Sequence, residues 1–310
     1  MTFTLRRCFR FFGYGIGVAL VTVTHTGCSL QELAAGALSS SLAQGAAVFA
    51  ADEDPEFVRD ALPFALKTYE MLLRTTPDDP DLLLATCSGF TQYAKAFLEE
   101  DAFYAAAEDY AAAERLKTRA LRMYLRARDY CLQALELEAQ VDLNALTSDP
   151  DAALSAVPVA AVPILFWTGA AWGSAIGVGL DRPELVVDLP VVRDIFERCN
   201  ELDPAYDRAG IEEALMALES VPELFGGSLE RAHVHFENAI AATGGTTLSP
   251  YVSWASSVSV ANQDRAEFER MLEAALAIDV TANPANRLAN ELMLLRAKYL
   301  QQHSEEYFIE

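Results

Sequence analysis

The chain has little of what catalytic and metal sites require. Its 310 residues include only four His and five Cys. His233 and His235 are two residues apart, so they do not share a helix face, and the cysteines form no CxxC motif. Gly226-Gly227-Ser228 is neither a P-loop nor a GxGxxG motif, and we interpret it as an ordinary helix cap. We therefore expect no enzyme, no cofactor and no metal site.

Basic charge is scarce as well. The chain has 23 Lys and Arg against 45 Asp and Glu, which gives a formal net charge of −22. A surface that acidic repels phosphate backbones and anionic lipid head groups, so nucleic-acid binding is not expected and a partner should offer a basic or apolar face. One basic run, Arg115 to Arg128, stands out, and we interpret it as a solvated or ion-paired helix face.

The N-terminal segment is basic and then apolar. Three Arg in the first ten residues precede an uncharged run over residues 11–24, and HTGC follows, ending at Cys28. This order is typical of a secretory signal peptide. Its end resembles a bacterial lipobox, although His25 stands where an aliphatic residue is usual. We expect residues 1–28 to be a lipoprotein signal peptide with lipidation at Cys28; an uncleaved anchor and cleavage after Ala50 are the alternatives.

The pattern from residue 52 onward is helical almost throughout. Apolar residues recur at helical spacing, and signals such as Asp54-Pro55 separate the segments. Strand-type alternation is essentially absent. The segment from about Phe103 to Gln140 contains no Gly or Pro and predicts one long helix. We predict an all-α fold, with a tether or docking helix over residues 29–51 and one helical domain over residues 52–310.

Several helices share a triplet of a small or aliphatic residue, an aromatic residue or Cys four later, and a small or aliphatic residue three later still. The spacing puts the three side chains on one helix face. Such a face lets a neighbouring helix approach closely, as in tetratricopeptide repeats, and predicts degenerate repeats of that kind. The triplets are Ala65, Tyr69 and Leu72; Val192, Phe196 and Cys199; Ala232, Phe236 and Ala239; and Ala127, Cys131 and Ala134.

An uncharged stretch covers residues 152–180, near the middle of the chain. It exceeds the roughly 20 residues that span a bilayer. However, Pro158 and Pro163 are costly inside a helix, and the flanks are acidic rather than basic. A helix that is apolar all round is typical of a buried core. We predict a central helix from about Ile164 to Val178, around which the remaining helices pack.

Five aromatic residues form the one suggestive functional set. Tyr93 and Phe97 are four residues apart on one helix, whereas Phe166, Trp167 and Trp172 lie in the uncharged stretch. Ordinary core packing is the simpler interpretation. The functional alternative is an apolar cavity or channel between helices, because ligand sites in helical proteins form there. These five are the candidate ligand-binding residues.

The three cysteines beyond the signal region, Cys87, Cys131 and Cys199, lie in apolar helical contexts. Buried free thiols are the favoured interpretation. A bridge between Cys87 and Cys131 stays open.

Six segments of this sequence, taken in order, cover nearly the whole chain after the signal region. Together they resemble the T component associated with tripartite ATP-independent periplasmic (TRAP) transporters, the TatT family. The segments are Asp52 to Leu73, Pro77 to Phe97, Tyr124 to Glu136, Phe166 to Gly177, Phe225 to Ile240, and Asp264 to Asp279 with Pro284 to Leu300.

The resemblance implies a non-enzymatic periplasmic lipoprotein that is anchored to a membrane through Cys28 and built of degenerate tetratricopeptide-like helices. It further implies a homotrimer that binds the transporter's solute-binding subunit, with an apolar pore that passes a hydrophobic ligand. The alternative function is a scaffold lipoprotein that organises envelope proteins and carries no ligand.

Overall fold

A computed structural model describes residues 45–309, and the expected signal peptide with Cys28 lies outside them. The described part is helical and contains no strand, which confirms the all-α prediction. Its α-helices are α1 (Pro55–Leu73), α2 (Pro80–Tyr93), α3 (Glu100–Ala105), α4 (Tyr110–Ala139), α5 (Leu143–Ser148), α6 (Pro150–Ser155), α7 (Val162–Val178), α8 (Pro183–Val186), α9 (Leu189–Leu202), α10 (Arg208–Glu219), α11 (Leu229–Thr243), α12 (Ser249–Trp254), α13 (Arg265–Leu276) and α14 (Arg287–Gln302).

Side-chain caps set the starts of several helices. The Asp54 carboxylate accepts hydrogen bonds from the backbone N–H groups of Glu56 and Phe57, each at 3.1 Å, at the start of α1. Ser228 accepts from the N–H of Arg231 in the same way before α11. That helix ends at Gly244, which takes a left-handed φ of 61° that favours glycine.

The predicted continuous helix from Phe103 to Gln140 is wrong. It breaks between α3 and α4, where the carboxylate of Asp109 accepts a hydrogen bond from the N–H of Ala112 at 2.9 Å and starts a new helix. An Asp favours a cap over a helix interior because its side chain competes for backbone N–H groups. The α2 and α3 helices, in contrast, are joined without a break by a π-helical turn over Ala94–Glu99.

The uncharged stretch forms α7, which packs mainly against α2, α4 and α9. The segment Val159–Val178 is long and apolar enough to cross a membrane, but 61% of its apolar window is buried inside the fold. Two glycines of α7 permit the close approach to α9. A Cβ atom on Gly169 would lie 2.9 Å from Ile195 Cγ2, and one on Gly173 would lie 3.1 Å from Val192 Cγ1.

The buried residues form one large core and two smaller ones. The large core joins α1, α2, α4, α7, α9 and α10. One smaller core lies among α12, α13 and α14, and the other lies among α10, α11 and α12. Helices α11 to α13 therefore pack chiefly on their chain neighbours.

Three of the four predicted triplets are buried throughout, so their spacing does mark helix faces that pack in the core. In the first triplet, only Tyr69 is buried, whereas Ala65 and Leu72 are half-buried. The buried triplets are Val192, Phe196 and Cys199; Ala232, Phe236 and Ala239; and Ala127, Cys131 and Ala134.

A disulfide joins Cys87 of α2 to Cys131 of α4, so the favoured interpretation of these two as free thiols is wrong. Sequence could not decide this, because two cysteines 44 positions apart carry no pairing signal. The helix α2 packs extensively on α4 and brings the two Cα atoms within 5.5 Å. Cys199 is a buried free thiol, and burial raises its pKa to about 12.

Candidate interaction sites

The first two candidate ligand residues lie at the junction of α2 and its π-helical turn. The rings of Tyr93 and Phe97 are buried, with their centroids 5.6 Å apart. The guanidinium of Arg59 lies 5.2 Å from the Phe97 centroid and donates two hydrogen bonds to Asp101, at 2.8 and 2.9 Å. A π-helical turn often marks a functional position, yet these contacts close the Phe97 face toward α1.

Phe166 and Trp167 belong to a second aromatic group, between α7 and α9. Phe166 makes edge-to-face contacts with Trp167, Phe196 and Tyr206, at centroid distances of 5.3, 5.8 and 5.7 Å. Phe166 is buried, whereas Trp167 is only half-buried. Trp167 is thus the one of the five that keeps part of its ring accessible.

Trp172 lies in a third place, toward the end of α7. Its indole N–H donates to the Asp188 carboxylate at 3.2 Å, and the Arg128 guanidinium lies 5.3 Å from its ring centroid. The structure therefore distributes the five candidate residues over three places. Every one of them has ordinary packing partners.

An open groove of 530 Å³ lies between α9, α10 and α11 and contains none of those five. Its lining is mostly charged or polar, and a neighbouring residue, Asp194, adds a further carboxylate. Burial and the Asp194 carboxylate raise the pKa of Glu197, which has no basic partner within salt-bridge distance among the described residues. The lining consists of Arg193, Glu197, Asn200, Glu201, Leu215, Glu219, Gly226, Arg231 and His235.

A buried carboxylate organises the floor of this groove. Glu219 is 3% exposed; it accepts a hydrogen bond from Arg193 of α9 and forms an ion pair with Arg231 of α11 at 2.7 Å. Burial alone would raise its pKa, but the neighbouring Arg231 and Arg193 guanidinium groups hold the pKa below its ordinary value. Arg231 also donates to the Gly226 carbonyl at 2.9 Å, so the same network fixes the loop between α10 and α11.

This loop carries an exposed apolar lip beside the groove. We define the lip as Leu224, Phe225 and Leu229, which are 88%, 57% and 50% exposed. The loop is tight, because a Cβ atom on Gly227 would lie 1.8 Å from the Val221 carbonyl oxygen. Exposed apolar side chains held on a rigid loop are typical of a protein-contact site.

The helical pattern of the sequence does not indicate the lip. Gly226-Gly227-Ser228 does serve as the predicted cap, but it also turns the chain so that the apolar pair before it faces solvent. The sequence does contain a signal for the lip, in Glu223-Leu224-Phe225. Its two apolar residues lie between two helices and belong to the apolar face of neither.

Two further carboxylates join helices that are far apart in the sequence. Glu100 of α3 is 3% exposed and pairs with Arg296 of α14 at 2.5 Å. Glu213 of α10 accepts a hydrogen bond from the Ser249 hydroxyl, and burial raises its pKa to about 7. These contacts hold helices together rather than open onto the groove.

Comparison with known proteins gives two findings. Residues 51–308 match the sequence model of the TRAP transporter T-component. The chain is also 28% identical over 303 residues to an uncharacterized protein of Treponema pallidum (strain Nichols), in an alignment that covers 92% of this chain and 94% of that relative.

Proposed function

The chain belongs to the TRAP transporter T-component family and is thus an envelope-associated accessory component of a TRAP transporter. On this premise we propose that it docks the transporter's periplasmic solute-binding subunit. The observation that supports this is the groove between α9, α10 and α11 with its apolar lip. Docking through this surface needs no catalytic group.

The chemistry of the surface defines the matching face of the partner. Hot spots of protein interfaces are apolar or aromatic anchors surrounded by a polar rim. The lip supplies the anchors, and Glu197 with Glu201 supplies acidic groups on the adjacent wall. The partner should therefore present an apolar pocket flanked by Lys or Arg, which the net charge of −22 also favours.

We propose that the protein acts in the periplasm and is held at a membrane by acyl chains on Cys28. Disulfides persist in oxidising compartments such as the bacterial periplasm, and the Cys87–Cys131 bridge supports this location. The homotrimer implied by the family resemblance is likewise proposed, and light scattering of the purified protein tests it.

We further propose that a hydrophobic ligand passes along the aromatic residues Tyr93, Phe97, Phe166, Trp167 and Trp172, with Trp167 as its point of entry. The partial exposure of Trp167 supports this role. The alternative is a scaffold that docks envelope proteins without a ligand, and the ordinary packing partners of the other four favour it. Mass spectrometry of the extracted protein for a co-purifying apolar molecule separates the two functions.

Calorimetric titration with the solute-binding subunit of the same transporter tests the docking surface. The double variant Leu224→Ser/Phe225→Ser removes the lip anchors and should weaken binding at least about tenfold. Truncation of a central apolar anchor commonly costs about 2 kcal/mol or more of binding free energy. Leu180→Ser is the matched control, since Leu180 is 68% exposed in the loop after α7. Equal affinity for the lip variant and the control would place docking elsewhere.

A further inference from the structure

A basic stripe runs along the exposed face of α4. Arg115, Arg119, Arg122 and Arg126 follow one another at spacings of four, three and four residues, so they lie on one side of the helix, and all four are exposed. The stripe is about 17 Å long at 1.5 Å per residue. It stands out on a chain with a net charge of −22.

The stripe is only partly neutralised by its surroundings. Arg126 lies 3.3 Å from Glu70, and Arg115 lies 3.9 Å from Asp109. Within residues 45–309, no acidic side chain comes within salt-bridge distance of Arg119 or Arg122. A shallow groove of 490 Å³ opens along the same face, lined by Arg122, Leu125, Arg126, Asp129, Tyr130 and Gln133.

An apolar stripe runs along the exposed face of α1. Phe57, Phe64 and Met71 follow at intervals of seven residues, which places them nearly above one another on the helix. They are 65%, 80% and 62% exposed. The stripe is about 21 Å long, and the exposed Asp60 and Lys67 lie beside it. Large exposed apolar side chains on one helix face are typical of a contact surface.

The two stripes approach each other near the C-terminal end of α1. The carboxylate of Glu70, next to Met71, accepts a hydrogen bond from the Tyr130 hydroxyl at 3.0 Å and pairs with Arg126. One helical step further, Gln133 donates to the carbonyl of Pro77 at 3.1 Å. Pro77 follows the end of α1, and α2 packs against both α1 and α4, so these contacts place the C-terminal end of α1 beside α4.

We propose that this combined face, the basic stripe of α4 with the apolar stripe of α1, rests on an anionic membrane surface and orients the protein there. Arg side chains beside inserted aromatic and aliphatic side chains are the composition that binds anionic lipid interfaces. Repulsion from the acidic remainder of the chain is weak at this face, because charges beyond about 8 Å are screened at physiological salt. The inference rests on the proposed envelope location but not on docking of the solute-binding subunit.

Vesicle co-sedimentation of a chain that begins after Cys28 tests the face, so that neither the signal region nor acyl chains contribute. The protein should bind phosphatidylglycerol-containing vesicles, release from them as salt rises, and bind pure phosphatidylcholine vesicles far less. Arg119→Glu/Arg122→Glu should lower partitioning onto the anionic vesicles at least about tenfold. Phe64→Ser should lower it as well.

The matched control is Arg182→Glu/Arg270→Glu, which changes the net charge equally at two exposed arginines outside the face. It should bind the vesicles as the parent does, with circular dichroism confirming that every variant is folded. Equal losses in the two double variants, or no binding of the parent to anionic vesicles, would overturn the proposal. If Arg119→Glu/Arg122→Glu instead keeps vesicle binding and loses the solute-binding subunit, the face belongs to a protein partner and the proposal fails.

Discussion

Removal of the Cys87–Cys131 disulfide should lower the free energy of unfolding by about 4 kcal/mol. In the chain-entropy treatment, closing a loop of 44 residues removes about 13 cal/mol/K from the unfolded ensemble, which is about 4 kcal/mol at 25 °C. Measured losses for native disulfides commonly lie between about 2 and 5 kcal/mol. Both sulfurs are fully buried, so replacement also leaves two small cavities.

The assay is urea unfolding, monitored by circular dichroism, of the parent and of Cys87→Ala/Cys131→Ala. Cys199→Ala is the control, because Cys199 is an equally buried cysteine that carries no bridge. The control measures the loss of stability from the cavity that one sulfur leaves, about 1 kcal/mol. Twice that value is the cavity contribution in the double variant, and the rest of its loss is due to the cross-link.

A loss in the double variant that equals twice the loss in the control would refute a stabilising bridge. Alkylation in denaturant without reductant gives an independent check. It should label Cys199 and spare Cys87 and Cys131, and labelling of all three would show that the bridge is absent.

Four further changes test other parts of the account. Gly169→Ala should cost about 1–3 kcal/mol of stability through overpacking against α9, whereas Gly177→Ala, with nothing within 4 Å of its Cβ, should cost nothing; equal unfolding midpoints would contradict the close approach. Trp167→Ala should cost about 2 kcal/mol, less than the loss for a fully buried Trp, and should reduce binding of an apolar fluorescent probe; unchanged binding would argue against a ligand role. The contribution of Glu213 to stability is present below about pH 4.5 and lost as pH rises through about 7, since burial raises its folded pKa; Glu213→Gln should therefore flatten the pH dependence of the urea midpoint in that window, and a parallel curve would refute it. Cys28→Ala should abolish acyl labelling and release the protein into the soluble fraction; persistent labelling would place the anchor elsewhere.

The fold class could be predicted because its signals are local. Caps such as Asp54 and Ser228 are readable from residue type and position, and the buried triplets are readable from helical spacing. The wrong prediction of one long helix also has a local cause. Asp109 starts a helix in a segment without Gly or Pro, where residue type alone did not separate an interior Asp from a cap.

The pairing of Cys87 with Cys131 and the position of the lip depend on tertiary packing. The bridge forms because α2 lies against α4, a contact between segments 44 residues apart. The lip faces solvent because Glu219, reached by Arg193 and Arg231, fixes the loop. Neither arrangement has a signature within one helix, so hydrophobic periodicity could not show it.

The basic run from Arg115 to Arg128 does lie on one helix, α4, as predicted. Its proposed role at a membrane depends on the apolar stripe of α1 near it. Sequence could place Arg119 and Arg122 on one side of α4. It could not show that Phe64 and Met71 of α1 lie exposed near it, since α1 is brought toward α4 by packing of both helices on α2.

The most direct test of the central claim is a calorimetric titration of the purified protein with the solute-binding subunit of its own TRAP transporter. The account predicts a saturable complex that Leu224→Ser/Phe225→Ser weakens at least about tenfold and that Leu180→Ser leaves intact. No detectable complex, with both proteins shown to be folded, would contradict it.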